Sequence, residues 1–477
     1  MKLNLIGSSW PGGLDARDDL FGGKWLKRLF WLFGVFMACS LCLPGADIRK
    51  PNIIFVLTDD FGYGDLGCYG GEFVPTPNLD RMAREGIRFT QFYVASPICS
   101  PSRTGCTTGM FPARWRIASY LQTRKGNAEC GQADYLDPSA PSVARLLKSA
   151  GYATAHFGKW HMGGGRDVTN APPISRYGFD EWASTWESPD PHPDLTATNW
   201  IWSPNDKVKR WKRTEFFVDK TLDFIRRHPN QPCYVNLWPD DTHLPFVPSP
   251  ELKEKYHAGN NTSGEPNFKG VLEEYDNQMG RLLSGLEKLG VAGNTLVVFT
   301  GDNGPWPSYE RRRTGGLRGC KLSLYEGGIR QPLLVWWPGT APAGRVNEQT
   351  VLSAVDLLPS FCRLAGVTIP EEIAAKLDGE DLSAAFTGGA PVRSKPLFWE
   401  YGRNEKSFSY PKTPGDRSPN LAVRDGKWKL LINADGSGAE LYNIESDARE
   451  TRNCVSEQAE LAARLSRAAL GFRKSVP

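Results

Sequence analysis

Two apolar runs end in oxygen-bearing side chains, Thr58-Asp59-Asp60-Phe61-Gly62 and Gly301-Asp302-Asn303-Gly304. Asp and Asn offer hard oxygen donors and no soft ones, which suits Ca²⁺ or Mg²⁺ over zinc or copper. Both segments are also good turn sequences, so spacing alone leaves a metal site and plain turn chemistry equally open. A third segment is Pro97-Ile98-Cys99-Ser100-Pro101-Ser102-Arg103-Thr104-Gly105. It predicts a helix with Ser100 as N-cap and Pro101 at the first helical position. Cys99 then lies at a helix N-terminus, where free amides and the dipole favour an anion and suit a nucleophile. A low-pKa thiolate and a buried, inert cysteine are the other two readings. Arg103 follows Cys99 by only four positions, too close for a phosphatase-type Cys–Arg loop.

Strands must bring these groups together. Pro51–Gly62 and Asn294–Gly304 read as continuous β-branched apolar runs bounded by turn residues, the pattern of strands buried on both faces of a parallel sheet. Helical patterns at Ser142–Ala150 and Glu215–Arg227 alternate with short strands at Tyr152–Phe157 and Cys233–Trp238. The expectation is an α/β fold, a large, doubly wound, mostly parallel sheet flanked by helices, with ligands gathered at the carboxyl ends of the strands. A polar, proline-containing stretch at Ala390–Asn420 marks a boundary. Beyond it, Leu421–Ile432 and Glu440–Asn443 read as a small antiparallel sheet with a closing helix near Glu457–Phe472. The expected domains are a catalytic α/β domain over 47–390 and a small C-terminal α+β domain over 391–477.

The 477 residues, 40% hydrophobic and 23% charged, supply enough apolar chain for a sizeable core and exclude disorder. A net charge of +4 speaks against a nucleic-acid partner. Lys24, Lys27 and Arg28 precede the 15-residue apolar run Leu29–Leu43, followed by Pro44-Gly45-Ala46, so residues 1–46 read as a secretory signal. The run is short of the roughly 20 residues a membrane helix needs, which predicts no stable span after cleavage. The expected location is secreted or periplasmic, with an uncleaved membrane anchor as the alternative. Residues 1–23 are either a long leader or follow a mis-chosen start. Eight cysteines remain beyond the leader, and their spacing specifies neither a bridge nor a zinc site.

Cys99-Ser100-Pro101-Ser102-Arg103 resembles the Cys-x-Pro-Ser-Arg signature of the sulfatase family, whose cysteine is oxidised to a formylglycine aldehyde. Further motifs agree in order from about Pro51 to Asn453. Pro51–Gly70 is similar to the family's first metal strand and Gly301–Gly304 to its second. Gly158-Lys159-Trp160-His161-Met162-Gly163 and Thr242-His243-Leu244-Pro245-Phe246 resemble its histidine segments. Leu317–Lys321 with Tyr325–Arg330 resembles its lysine loop, and Val423–Asn453 its small domain. The family usually continues the signature as Leu-Thr-Gly-Arg, where this chain has Thr107-Thr108-Gly109-Met110.

The resemblance implies hydrolysis of sulfate monoesters, with Ca²⁺ (Mg²⁺ as the other choice) held by Asp59, Asp60, Asp302, Asn303 and the formylglycine formed from Cys99 by a maturation enzyme. It implies attack on sulfur by one hydroxyl of the hydrated aldehyde, with His161 taking a proton from the other to expel sulfate. Arg103 and Lys159 would steady the formylglycine. Lys159, His243 and Lys321 would bind the sulfate, His243 and Lys321 also assisting the leaving oxygen. A phosphate or phosphonate ester hydrolase on the same scaffold and a noncatalytic sulfate- or glycan-binding protein are the alternatives. Arg176–Arg213 carries Trp182, Trp186, Trp200, Trp202 and Trp211 and ends in Lys207-Val208-Lys209-Arg210-Trp211-Lys212-Arg213. Aromatics among cations could hold a sulfated glycan, or be packing residues beside a solvated basic face. Arg311-Arg312-Arg313 and Arg318 invite the same two readings.

Overall fold

The computed structural model describes residues 50–198, 200–404 and 406–477; the leader expected over 1–46 lies outside the described residues. Nine strands form one sheet: β1 (Asn52–Thr58), β2 (Ile87–Tyr93), β3 (Ala153–Gly158), β4 (Glu181–Ser184), β5 (Cys233–Trp238), β6 (Thr295–Gly301), β7 (Arg330–Trp336), β8 (Arg345–Asn347) and β9 (Leu352–Ser353). Their order is β4-β3-β5-β1-β6-β7-β2-β8, with β9 also on β2. Pairing is parallel except where β7 runs antiparallel between β6 and β2.

The central strands are apolar throughout because both faces are covered. Ile53, Phe55 and Leu57 of β1 enter one core with Cys106, Leu147 and Phe361 from the helices Cys99–Thr108, Val143–Ser149 and Leu357–Leu364. Ile54 and Val56 enter the opposite core with Met82, Phe217 and Leu282 from the helices Pro77–Glu85, Arg213–Arg227 and Glu265–Lys288. This is the two-residue alternation of a strand expressed between two helical layers, the doubly wound arrangement expected.

A second, antiparallel sheet follows: β10 (Leu397–Glu400), β11 (Leu421–Asp425), β12 (Trp428–Ile432) and β13 (Glu440–Asn443). The helix Ala459–Ser475 lays Ala462, Leu465 and Ala469 on Leu421, Val423, Leu430 and Leu441. A buried ionic cluster joins this sheet to the short helix Glu326–Ile329 before β7, where Lys429 Nζ lies 2.9 Å from carboxylate oxygens of both Glu326 and Glu450. Lys50–Pro477 is one compact unit. All eight cysteines of the described residues are free.

Candidate active site

Four neighbouring parallel strands, β3-β5-β1-β6, end at one edge of the sheet. Lys159 and His161 follow β3, Asp240 to His243 follow β5, Asp59 and Asp60 follow β1, and Asp302 and Asn303 follow β6. The β1–β6 register pairs Thr58 with Gly301, which sets Asp59 beside Asp302. Close packing of the strand ends requires glycine at 158, where φ is +128° and a Cβ would stand 2.0 Å from Trp238 O. Asp60 and His161 themselves have left-handed backbones, φ +52° and +51°, a strained conformation for residues other than glycine that concentrates at functional sites.

Cys99 stands at the first turn of the Cys99–Thr108 helix, but the predicted cap is displaced. Ile98, not Ser100, is the N-cap, and Pro101 falls two residues inside the helix, where its missing N–H is still one of the unpaired first four. Ser100 is drawn elsewhere: its Oγ accepts the Leu121 N–H at 2.8 Å. The Leu121 carbonyl in turn lies 3.0 Å from His161 Nε2. Cys99 is 2% exposed. Burial, reinforced by Asp59, pushes its thiol well above the ordinary value, which speaks against a standing thiolate despite the helix N-terminus.

The cations expected at the site are there, each engaged with the acidic pairs. Arg103 Nε and Nη2 both donate to Asp302 Oδ2, at 3.0 and 2.7 Å, and Nη1 donates to Lys159 O at 2.7 Å. Lys159 Nζ lies 2.7 Å from Asp59 Oδ2. Lys321 Nζ lies 2.6 and 2.8 Å from the two Asp60 oxygens and 3.5 Å from Cys99 Sγ. His243 Nε2 is 3.7 Å from Asp60 Oδ2, its Nδ1 donating to Leu244 O at 2.6 Å. Burial would raise the Asp59 pKa, but Lys159, His243 and Arg103 outweigh it and hold the carboxylate well below its usual range.

His161 is held neutral, because burial lowers its pKa to about 3 against the pull of Glu187 3.3 Å away. A carbonyl can only accept, so Nε2 carries the proton toward Leu121, and Nδ1 is left buried without a partner. Burial would raise Glu187, but the surrounding positive charges, Lys159 and Arg166 among them, hold it at about 2.

The donor set fits a hard divalent cation. Oxygens of Asp59 and Asp60, Cys99 Sγ and a His243 ring nitrogen all lie within 4.8 Å of one another. Asn303 Oδ1 is buried without a partner, an acceptor that a cation would satisfy. Burial, with Asp59 and Asp60 adding repulsion, lifts Asp302 to about 7 in spite of Arg103. A buried carboxylate beside two others that local cations leave under-compensated, as Asp302 is, is what an oxygen-liganded metal neutralises.

Asp60, Cys99, Lys159, His161, His243 and Lys321 all line a cavity of about 470 Å³, within the range of small-molecule sites. Arg103, Asp59, Asp302 and Asn303 stand behind its wall. Further lining residues had no sequence signal attached, Tyr120, Arg166, Glu187, Trp306, Tyr410 and Lys412 among them. The run Gly163-Gly164-Gly165 before Arg166 could have flagged that one, since it lets the backbone turn back at φ values L-residues avoid. The basic run 207–213 is not a solvated face throughout. Arg210 and Arg213 are buried on the Asp240 carboxylate, and Arg210 Nη2 donates to Asp240 O at 2.5 Å and His243 O at 3.0 Å. Lys207 pairs with Asp194, and Lys209 Nζ bonds the carbonyls of Pro204 and Asp206. Arg311, Arg312 and Arg313 pair with Asp416, Glu265 and Asp65, and Arg318 lies 3.7 Å over the Tyr325 ring. Trp200 alone of the five tryptophans in the earlier stretch is well exposed, at 55%.

Comparison with known proteins agrees with this geometry. A family model described as Sulfatase matches residues 51–367, and one described as N-sulphoglucosamine sulphohydrolase, C-terminal, matches 320–472. The N-acetylgalactosamine-6-sulfatase of Sus scrofa is 34% identical over 397 residues, 77% of this chain and 72% of that protein. Arylsulfatase A of Homo sapiens is 32% identical over 420 residues, 82% and 76% of the two chains. Among solved structures, Ps i-CgsB in complex with k-i-k-neocarrahexaose superposes with a TM-score of 0.72 at 26% identity, covering 89% of this chain and 93% of that one. With the family model spanning more than half the chain and relatives above 30% identity, the chain belongs to the sulfatase family and is a hydrolase of sulfate esters.

Proposed function

We propose that this sulfatase acts on sulfated carbohydrates in an exported setting, with residue 99 matured by a formylglycine-generating enzyme and Ca²⁺ held by Asp59, Asp60, Asp302, Asn303 and residue 99. The observation that carries the reading is the convergence of two acidic pairs, two lysines and two histidines on the cavity that holds Cys99. When bound, the cation would draw charge from the sulfate oxygens, and the matured aldehyde, hydrated, would supply the attacking oxygen. Lys159 and Lys321 present fixed N–H donors to the nonbridging oxygens, preorganised because each is already oriented by Asp59 or Asp60, and His243, whose Nδ1–H is held by Leu244 O, would add an Nε2–H as the imidazolium. Lys321 and His243, both lining the cavity, would assist the leaving oxygen by donating a proton to it. His161 Nδ1, bare and neutral, accepts the proton released beside residue 99. Arg103 anchors both Asp302 and the Lys159 backbone, coupling the two acidic pairs to the β3 loop.

The carbohydrate substrate is supported by the names of the relatives, N-acetylgalactosamine-6-sulfatase among them, and by the oligosaccharide in the complex of the structural neighbour. An exported location rests on the leader pattern, and no helix among the described residues is long and apolar enough to cross a membrane. The division into residues 47–390 and 391–477 is part of the same proposal, the second segment supplying Ser409, Tyr410 and Lys412 to the cavity rim. Turnover of paired aryl and sugar esters tests it: sulfate should be released from a sulfated amino sugar, and the matching phosphate esters should be poor substrates. Phosphate release outrunning sulfate release would contradict it.

A further inference from the structure

The cavity that holds Cys99 is not the end of the cleft. A second cavity of about 480 Å³ adjoins it, and both are lined by Leu244, Trp306 and Lys412. The second chamber contains none of the residues assigned to sulfate chemistry. Its own walls come from residues 307–309, Ser263 and Cys320 and, in the second segment, from Pro411, Thr413 and Asp416.

The divide between the chambers has the chemistry of a sugar contact. Trp306 is half-buried, lines both chambers and, among the described residues, has no ring packed on it, so part of its indole is accessible from the cleft. Aromatic side chains with one apolar face available are suited to the C–H face of a pyranose. Lys412 is exposed, and among the described residues its ammonium has neither a hydrogen bond nor an ion pair. The acidic group in the second chamber, Asp416, is already committed: Arg311 Nη2 lies 2.6 Å from its Oδ1, and the Gly319 N–H donates to the same oxygen. The uncompensated charge facing the divide is therefore positive.

We infer that the second chamber is a subsite for a neighbouring sugar unit bearing an anionic group, a carboxylate or a second sulfate, with Trp306 stacking at the junction and Lys412 pairing with the anion. The substrate is then a sulfated oligosaccharide with at least two units in the cleft. This rests on the carbohydrate reading above. With the indole contact and the ion pair acting together, the preference should be about tenfold, which corresponds to about 1.4 kcal/mol.

The test compares three substrates on the mature enzyme: a small aryl sulfate, a sulfated monosaccharide, and the disaccharide that adds a uronic acid to it. The disaccharide should exceed the monosaccharide in kcat/KM by about tenfold or more. Lys412→Ala and Thr413→Trp, the second filling the chamber from an exposed position, should each bring that ratio toward one. Replacing the uronic acid by a neutral sugar should have the same effect on the wild type. Affinities for the same two sugars, measured by calorimetry on Cys99→Ser protein, should show the same preference without turnover. Equal values for monosaccharide and disaccharide, or a preference that survives both substitutions, would overturn the subsite while leaving sugar desulfation standing. Turnover of the aryl sulfate with no sulfate released from either sugar, and no sugar bound, would overturn the carbohydrate reading and this subsite with it.

Discussion

Arg210→Met should damage the enzyme through His243 and not through glycan binding. The Arg210 side chain is 1% exposed and holds three acceptors at once: the Asp240 carboxylate, the Asp240 carbonyl and the His243 carbonyl. Methionine fills similar volume but leaves Asp240 with Arg213 as its remaining cation, at 2.8 Å. Removing one member of a buried ion pair costs about 3–5 kcal/mol, so the urea midpoint should fall accordingly. The freed segment carries His243 and Thr242, and Thr242 Oγ1 bonds the Asp59 carbonyl, so the loss reaches the site as well. A displacement of about 1 Å at a catalytic group lowers rate by about 10²-fold. Measured per folded molecule, kcat/KM should therefore fall by about that factor for a small aryl sulfate and a sulfated oligosaccharide alike. Arg210→Lys, which keeps the charge but cannot fork three acceptors, should fall between. A loss confined to KM for the oligosaccharide, with stability and aryl sulfate turnover intact, would refute this reasoning and restore the basic run as a glycan surface.

Two other perturbations follow from the charges buried in the fold. Burial, with Glu326 adding repulsion, raises Glu450 from 4.5 to about 7 in spite of Lys429. A carboxyl raised in the folded state contributes stability that is complete below pH about 4.5 and is lost as pH rises through about 7. Urea midpoints of the wild type should thus lose ground across that window relative to Glu450→Gln, and parallel profiles would remove Glu450 from the account. Separately, Ca²⁺ should raise the thermal midpoint of the wild type by mass action and a chelator should lower it. Asn303→Leu, which deletes the unpartnered buried oxygen, should lose most of that response; an undiminished response would place the ion elsewhere.

What could be read from the chain was whatever local pattern determines. β1 and β6 are apolar at every position because both faces are buried, and their acidic ends follow from turn-forming residues at the carboxyl edge. The antiparallel β7 between β6 and β2 was invisible, since strand direction depends on the path of the intervening chain and leaves no mark on a buried strand. Ser100 looked like a cap because local rules favour it, but a distant N–H, that of Leu121, claims its oxygen. Arg210 and Arg213 sit in a run that looks like any solvated basic face, and only Asp240, 30 and 27 residues away, shows them to be buried. Glu187 escaped notice for the same reason: its meaning lies in Lys159, His161 and Arg166 meeting it across a loop.

The central claim is that residue 99 becomes the nucleophile by leaving the thiol state. The most direct measurement is mass spectrometry of the peptide carrying Cys99, from protein made with its maturation enzyme, alongside sulfate release by the same sample. The account predicts an aldehyde at position 99, with activity in proportion to the fraction converted. An unmodified thiol at Cys99 in protein that still releases sulfate would contradict it.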